Sequence, residues 1–467
     1  MATDAQAATF DRGTPGVRGS SGWRDLLQKE DWWAVWLGVG LTLAGVWLFL
    51  HGSSIKWLAV TPKKWAHVTE ALADLRTNSG RYAALFALWA LLFGAGARAL
   101  GWPLRRFLPS FVLLFILAVL IFTLGQWNQA DHYNLEPPLV ALLLGLLISN
   151  TNLLPRWMDA GFRVEYYVKT GIVLLGATLP FTLIVWAGPV AILQASIVSL
   201  VTFGVIYFVG IRLGLDRRLA ATLGAGGAIC GVSGAIAISG AVGARKQDAP
   251  VAITLVIFWA VVMIFALPLV CRALGLPTGV AGAWIGTSEF ADAAGLAAAQ
   301  TYGSYAGQVP GISGSADAAL TSFTLMKVIG RDVWIGIWAF ILSIVATTRW
   351  ENTGVDRRPD AGEIWRRFPK FVLGFLLASL IITVVTASAS YSQFKSSFTP
   401  DLVGPIKAFR TWAFILCFLS IGLTTRVREL ASAGWKPFWA FTSGVAVNVV
   451  LGFVLSVLVF YSYWSHL

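Results

Sequence analysis

Apolar residues fill most of this chain in stretches that are long enough to cross a lipid bilayer. Runs of 18 or more such residues recur from Trp33 to Phe460, and the polar breaks between them mark about 11–13 membrane segments. Two of the predicted spans, 171–187 and 189–211, are separated only at Gly188. The pattern predicts an all-α, polytopic membrane protein.

Two of the apolar stretches, residues 219–243 and 281–303, are interrupted by residues that weaken helices. The first contains Gly224-Ala-Gly-Gly-Ala-Ile-Cys-Gly-Val-Ser-Gly, and the second contains Gly286-Thr-Ser-Glu-Phe-Ala-Asp. Irregular backbone is tolerated in a bilayer only where protein or a watery cavity satisfies the freed N–H and C=O groups. A pair of such interruptions is therefore typical of the binding site of a secondary transporter. Each stretch is long enough either to cross once or to re-enter as a hairpin, and the basic residues Arg245 and Lys246 favour re-entry.

Charge predicts the side of the membrane on which each loop lies. The chain has 57% hydrophobic and 12% charged residues, a mean hydropathy of +0.71 and a formal net charge of +12. Lys and Arg collect in cytoplasmic loops, so we predict that loops 212–218, 349–370 and 424–436 are cytoplasmic. Loops 128–137 and 303–315 hold neither residue and should lie outside. The positive charge thus indicates topology, and no nucleic-acid partner is expected.

The chain divides into three predicted regions. Residues 1–30 are polar and indicate a disordered cytoplasmic tail; residues 31–130 form an N-terminal membrane extension, and residues 131–467 form a transporter core. Within the extension, 57–81 has the pattern of an amphipathic surface helix, which would account for a basic loop that the topology places outside. An internal echo, Gly176-Ala-Thr with Gly422-Leu-Thr, predicts an inverted repeat.

The glycine-rich turn of the first interrupted stretch is a candidate anion site. Glycines let a helix unwind and place the N-terminus of a half-helix, with its partial positive charge, inside the membrane. The alternative is that these small residues only permit close helix packing. The predicted substrate-binding residues in the two stretches are Gly227, Cys230, Gly231, Ser233, Gly234, Thr287 and Ser288.

Four charged residues add to this candidate site. Glu289 and Asp292 lie three positions apart, so on a helix they would share a face, and they are the predicted ligands of a coupling ion, H⁺ or Na⁺. Lys327 and Arg331 share a face of the next apolar helix and would neutralise the substrate anion or pair with the two carboxylates. The alternatives are solvated carboxylates at the surface and cations that snorkel to the interface.

No enzyme is expected from this chain. It lacks a Gly-x-Ser-x-Gly elbow, a His-Glu-x-x-His motif and the paired Asp motif of intramembrane proteases. The four histidines have no metal-ligand spacing, so neither a metal nor another cofactor is predicted.

Several stretches of the chain resemble the sulfate exporter family of bacterial inner-membrane proteins. They begin at Ala141, Gly171, Gly227 and Ser420 and read Ala-Leu-Leu-Leu-Gly-Leu-Leu-Ile-Ser-Asn, Gly-Ile-Val-Leu-Leu-Gly-Ala-Thr-Leu, Gly-Ala-Ile-Cys-Gly-Val-Ser-Gly and Ser-Ile-Gly-Leu-Thr-Thr. The resemblance covers the chain from Pro138 onward and implies a multi-pass exporter of the bacterial inner membrane. Where the family reads Gly-Ala-Ser-Ile-His-Asp-Thr-Ala-Gln, this chain has the stretch that begins at Gly286, so it resembles a divergent branch.

These observations together predict a secondary active transporter of a small anion such as sulfate, sulfite or an organosulfonate, coupled to H⁺ or Na⁺. Its partners would be the anion and the lipid bilayer, with a homodimer left open. A passive channel, in which the broken segments line a pore, is the first alternative. A membrane-embedded sensor without transport is the second.

Overall fold

The computed structural model describes residues 25–130, 137–151, 154–179, 181–245, 247–350, 365, 369–388, 396–425 and 434–467. Across these ranges the secondary structure is helical, without a β-strand. Eight of the helices are long and apolar enough to cross a bilayer. The predicted all-α, polytopic class is therefore confirmed. Most of the predicted disordered tail, and much of the loops 349–370 and 424–436, lie outside the described residues.

The α-helices of five or more residues are numbered here in chain order, and three of them are followed by π-helical turns, at Leu325–Arg331, Ala346–Trp350 and Val454–Val459. They are α1 Glu30–Leu50, α2 Val68–Thr77, α3 Ser79–Ala99, α4 Leu104–Gly125, α5 Pro137–Asn150, α6 Val164–Gly176, α7 Phe181–Arg212, α8 Arg217–Ala228, α9 Val232–Ala241, α10 Asp248–Ala273, α11 Thr278–Ser288, α12 Asp292–Ser304, α13 Ala316–Thr324, α14 Trp334–Val345, α15 Lys370–Ala387, α16 Gly404–Thr424, α17 Trp435–Phe453 and α18 Tyr461–Ser465.

The boundary predicted at Gly188 between two spans is wrong. Helix α6 ends at Gly176, and α7 then runs unbroken for 32 residues with Pro189 inside it. A proline near the start of a membrane helix removes only one backbone donor, which neighbouring groups can compensate. The chain instead turns after Gly176, where an added Cβ would lie 2.2 Å from the carbonyl oxygen of Phe375.

The amphipathic helix predicted over 57–81 is shorter than expected. Only Val68–Thr77 is helical before α3 begins, because Pro62 cannot donate a helical hydrogen bond. Trp65 instead exchanges backbone hydrogen bonds with residues 126 and 128 after α4. One basic side chain of this loop is engaged locally: Arg81 donates to the carbonyl oxygens of Lys56 and Trp57 at 3.0 and 2.9 Å.

Residues 31–130 share one hydrophobic core with the described helices that follow, so the packing is continuous across the predicted division at residue 130. Helix α1 packs between α6 and α15. A Cβ at Gly38 would lie 2.4 Å from Cγ1 of Val173, which shows how closely α1 and α6 approach. Trp412 of α16 donates from its indole N–H to the carbonyl oxygen of Val60 at 2.8 Å.

Helices α5, α6 and α16 form a tightly packed scaffold. Gly145 of α5 faces Gly422 of α16 so closely that a Cβ on Gly145 would lie 2.7 Å from the other Cα. Small residues permit such backbone contact between membrane helices, where dispersion and not hydrophobicity drives association. The glycines of these motifs therefore have a packing role.

Each of the two interrupted stretches folds back as a hairpin. The first hairpin consists of α8 and α9, and Arg218 at its start donates from Nη1 to the carbonyl oxygen of Gly243 at its end, at 2.7 Å. The second consists of α11 and α12, and the Tyr302 hydroxyl near its end donates to the carbonyl oxygen of Leu276 before its start, at 2.6 Å. The two ends of each stretch thus lie together, which resolves the open choice in favour of re-entry.

The two hairpins enter the molecule from opposite ends of α10. The first ends just before Asp248, where α10 begins, and the second begins just after Ala273, where it ends. A helix of 26 residues is about 39 Å long, and half-helices of 10–13 residues reach about 15–20 Å. The tips therefore meet about halfway along α10.

Candidate functional site

The tips of the two hairpins are in direct contact. The first tip, residues 229–231, includes Gly231 with φ +72°, and the second tip is residues 289–291. A Cβ on Gly231 would lie 2.7 Å from the carbonyl oxygen of Phe290 and 2.8 Å from Cγ1 of Val256. Both the positive φ and this close approach require glycine here.

Arg331 binds the carbonyl ends of both hairpins. It is fully buried in the π-helical turn that follows α13. Its Nε and Nη2 donate to the carbonyl oxygens of Ala228 and Gly227 at 3.3 and 2.9 Å, where α8 ends. Its Nη1 donates to those of Thr287 and Glu289 at 2.6 and 3.1 Å, where α11 ends. The positive side chain thus meets the negative ends of two half-helices.

Lys327 lies one turn earlier and bridges the same two tips. Its Nζ, also fully buried, donates to the carbonyl oxygens of Ile229, Glu289 and Phe290 at 3.2, 3.0 and 2.9 Å. Oδ1 of Asp292 lies 3.6 Å away. An ammonium group has three donors, so the carbonyls use them all.

The position of the π-helical turn explains how both cations reach the tips. The turn lies against α7, where a Cβ on Gly330 would be 2.9 Å from the carbonyl oxygen of Ala191. The wider π-helical winding is common at functional sites. Lys327 and Arg331 therefore do not snorkel to an interface, and in this conformation four of the five guanidinium donors and all three ammonium donors are occupied.

The predicted carboxylates Glu289 and Asp292 do not share a helix face, because the chain is extended between α11 and α12. Glu289 has ψ 137°, and its Oε1 accepts from the backbone N–H groups of Phe290 and Ala291 at 2.9 and 3.2 Å. It therefore stabilises the second tip. Asp292 begins α12 and lines a cavity, so the break assigns the two carboxylates different surroundings.

A cavity of about 260 Å³, with four charged side chains in its lining, extends from the first tip to the starts of α1 and α15. Of the predicted substrate-binding residues, Cys230 and Ser233 line it. Gly227 and Thr287 contribute carbonyl oxygens to Arg331, while Gly234 packs against Ala225. The complete lining is Asp31, Lys169, Cys230, Ser233, Ile236, Ala237, Asp292, Asp332, Ile335, Pro369 and Phe371.

Three charged cavity residues were not predicted from the sequence: Asp332, Lys169 and Asp31. Asp332 is fully buried, and within the described ranges neither of its carboxylate oxygens has a hydrogen-bond partner. Lys169 of α6 lies 2.9 Å from Asp31 and 3.3 Å from Glu30 of α1, and 3.5 Å from Glu165. The i, i+4 pair Glu165 and Lys169 was a visible signal, but the span predicted to start at residue 171 left it out.

Carboxylates outnumber cations around the tips. Glu289, Asp292 and Asp332 face Lys327 and Arg331, so the fully ionised cluster carries one negative charge in excess. Charges of one sign are costly to bury without compensation. The cluster is therefore suited to take up a cation or a proton.

The half-helices that leave the tips present their positive ends. Neither α9, whose N-cap is Gly231, nor α12, whose N-cap is Ala291, has a side chain capping its first turn. Ser233, in the first turn of α9, lines the cavity. An anion in the cavity would thus meet free backbone donors and one hydroxyl.

Comparison with known proteins gives the following similarities. The family model described as Conserved hypothetical protein 698 matches residues 109–441. A UPF0324 membrane protein of Rhodopirellula baltica is 32% identical over 419 residues, which cover 88% of this chain and 73% of the relative. One of Nitrosomonas europaea is 28% identical over 452 residues, which cover 88% of this chain and 91% of the relative. No solved structure matches.

A UPF0324 membrane protein of Nitratidesulfovibrio vulgaris is 31% identical over 382 residues. The match covers 81% of this chain but 63% of the relative, so the chain spans less than two thirds of that protein. A match to 88% of the chain is longer than residues 131–467, so the similarity reaches into the first 130 residues. The names of these relatives give a membrane location and no substrate.

Proposed function

The chain belongs to the family described as Conserved hypothetical protein 698, and on that premise we propose that it is a secondary active transporter of a small anion in the bacterial inner membrane. The candidate substrates are sulfate, sulfite and organosulfonates, and H⁺ or Na⁺ drives the transport. The observation that carries this proposal is the meeting of two opposed hairpins, tip to tip, beside a cavity whose lining includes four charged side chains. Secondary transporters place their binding sites between such broken helices.

The proposed anion site is the first turn of α9. The turn opens into the cavity through Ser233, and a helix N-terminus carries about half a positive elementary charge. Lys327 and Arg331 add positive potential without giving up their carbonyl partners. Alternating access would follow from movement of the hairpins against the scaffold of α5, α6 and α16.

Flux measurements on the full-length protein in proteoliposomes test this function. We expect saturable uptake of radiolabelled sulfate or sulfite that depends on an imposed H⁺ or Na⁺ gradient. Replacement of Ser233 by Ala should raise the KM about 2- to 10-fold, since one hydrogen bond contributes about 0.5–1.5 kcal/mol. The exposed Ser465→Ala is the matched control. Flux that neither saturates nor responds to a gradient would indicate a channel, and absence of flux for all three anion classes would refute transport.

A further inference from the structure

The carbonyl ends of the broken helices are already occupied. In transporters with discontinuous helices, unwound carbonyls and half-helix C-termini coordinate the coupling Na⁺. Here Gly227, Ala228 and Ile229 of the first hairpin accept from Lys327 or Arg331. Thr287, Glu289 and Phe290 of the second hairpin do the same. Side-chain cations therefore stand where a bound Na⁺ would be.

The cavity next to these cations holds carboxylate oxygens that lack hydrogen-bond partners. Within the described ranges neither oxygen of Asp332 has one, and Oδ1 of Asp292 has only the ion-pair contact with Lys327 at 3.6 Å. Asp332 is fully buried and the Asp292 residue is 7% exposed, yet both line the cavity. A buried carboxylate without a donor is costly, and a bound proton removes this cost by neutralising the group.

Groups from several elements surround Asp332, and they set the charge that a proton would meet. Asp292 and Glu165 add negative charge, whereas Lys327 and Arg331 on its own segment add positive charge. The remaining titratable groups that line the same cavity are Asp31, Lys169 and Cys230.

We propose that the coupling ion is a proton, and that Asp332 binds it in the cavity with Asp292 as the neighbouring acceptor. This inference rests on the proposed function and specifies its coupling site. Asp31, at the start of α1, and Lys169 of α6 pair at 2.9 Å in the lining of the same cavity. In the topology predicted from loop charges the start of α1 is cytoplasmic.

The charge of Asp332 also determines the direction of coupling. An ionised Asp332 repels an anion at the first turn of α9, and a protonated one does not. The proton and the anion then each increase the affinity of the protein for the other, because such linkage is reciprocal. The proton and the anion consequently move together as a symport, and an inward proton gradient drives uptake, not the export that the sequence resemblance implies.

Calorimetric titration of the purified full-length protein with sulfate tests the proton directly. In two buffers of different ionisation enthalpy, the difference in heat reports the protons taken up per anion. We expect the wild type to take up protons on binding sulfate, up to about one per anion at pH values high enough for Asp332 of the free protein to be ionised. We also expect it to bind sulfate more tightly as the pH falls and to be indifferent to Na⁺. Asp332→Asn should bind sulfate with most of this proton uptake and pH dependence lost, whereas the exposed Asp317→Asn should match the wild type.

The outcomes separate the two proposals. If Asp332→Asn retains the proton uptake of the wild type, the assignment of Asp332 is wrong. If the wild type binds sulfate without proton uptake at every pH of the series, or only with Na⁺, proton coupling is wrong while the transporter proposal survives. If sulfate, sulfite and methanesulfonate all fail to bind the wild type at any pH, the proposed function itself fails. If Asp332→Asn does not fold, the wild-type measurements still decide whether a proton binds together with the anion.

Discussion

Backbone carbonyls, more than carboxylates, hold the two buried cations of the site. Lys327 and Arg331 could be selected from the sequence because charges inside apolar runs are rare. Their partners could not be, since a carbonyl belongs to every residue and carries no sequence signal. A different limit applies to Lys169, because its partner Asp31 lies 138 positions away in a helix that the sequence assigned to a separate region.

At the residue scale, Gly231→Ala is expected to destabilise the protein by about 2–5 kcal/mol. The left-handed backbone costs an alanine about 1–2 kcal/mol, and the contact with Phe290 adds about 1–3 kcal/mol of overpacking. Gly204→Ala, on α7 with open space around its Cβ, is the matched control and should be neutral or slightly stabilising. Thermal unfolding of both variants in detergent measures the difference, and equal midpoints would contradict the contact between the tips.

At the element scale, the sequence predicted which helices are interrupted but not where each half turns. Glycine density located the first break, and the structure narrows it to residues 229–231. The choice between crossing and re-entry depended on the contacts Arg218–Gly243 and Tyr302–Leu276, which join residues about 25 positions apart. The inverted repeat suggested by the echo of Gly176 in Gly422 stays a prediction, although both glycines admit the backbone of another helix.

Labelling of single cysteines tests whether both ends of each interrupted stretch lie on the same side of the membrane. In a background without Cys230, Cys271 and Cys417, cysteines at Asp216 and Ala244 should react with an impermeant thiol reagent from the same side of the membrane. A cysteine at Gly307 should react from the opposite side, because the second hairpin opens there. Labelling of intact cells and inverted vesicles makes the comparison. Reaction of positions 216 and 244 from opposite sides would show that the first stretch crosses.

At the scale of the whole molecule, residues 31–130 pack together with the helices that form the candidate site. The sequence separated it at residue 130 because its composition and motifs differ from those that follow. Packing of Gly38 against Val173, and the ion pair of Lys169 with Asp31, are long-range contacts that hydropathy does not report. The family match from residue 109 and the coverage of the relatives agree with a single architecture.

Two glycines on α1 provide a test of how closely this helix packs against the rest of the protein. Gly38→Ala should lower the stability by about 1–3 kcal/mol, because its Cβ would lie 2.4 Å from Cγ1 of Val173. Gly40→Ala, two residues along the same helix with open space, should be neutral or gain up to about 1 kcal/mol of helix propensity. The two variants are compared by thermal unfolding in the same detergent. Equal stabilities would mean that α1 is only loosely attached.

The bridging of both tips by Lys327 and Arg331 has a mechanical consequence. Because these two side chains bind carbonyl groups of both hairpins, the two hairpins should move together as one rigid unit. Spin labels at Ser239 and Ser304, one on each hairpin, should then report a single distance with and without sulfate. Labels at Ser239 and at Leu147 on α5 should report two distances, because Lys327 and Arg331 link the hairpins to each other and not to α5, which serves as the fixed reference. A second distance between the labels at Ser239 and Ser304 would show that the contacts of Lys327 and Arg331 with the two tips break during each transport cycle.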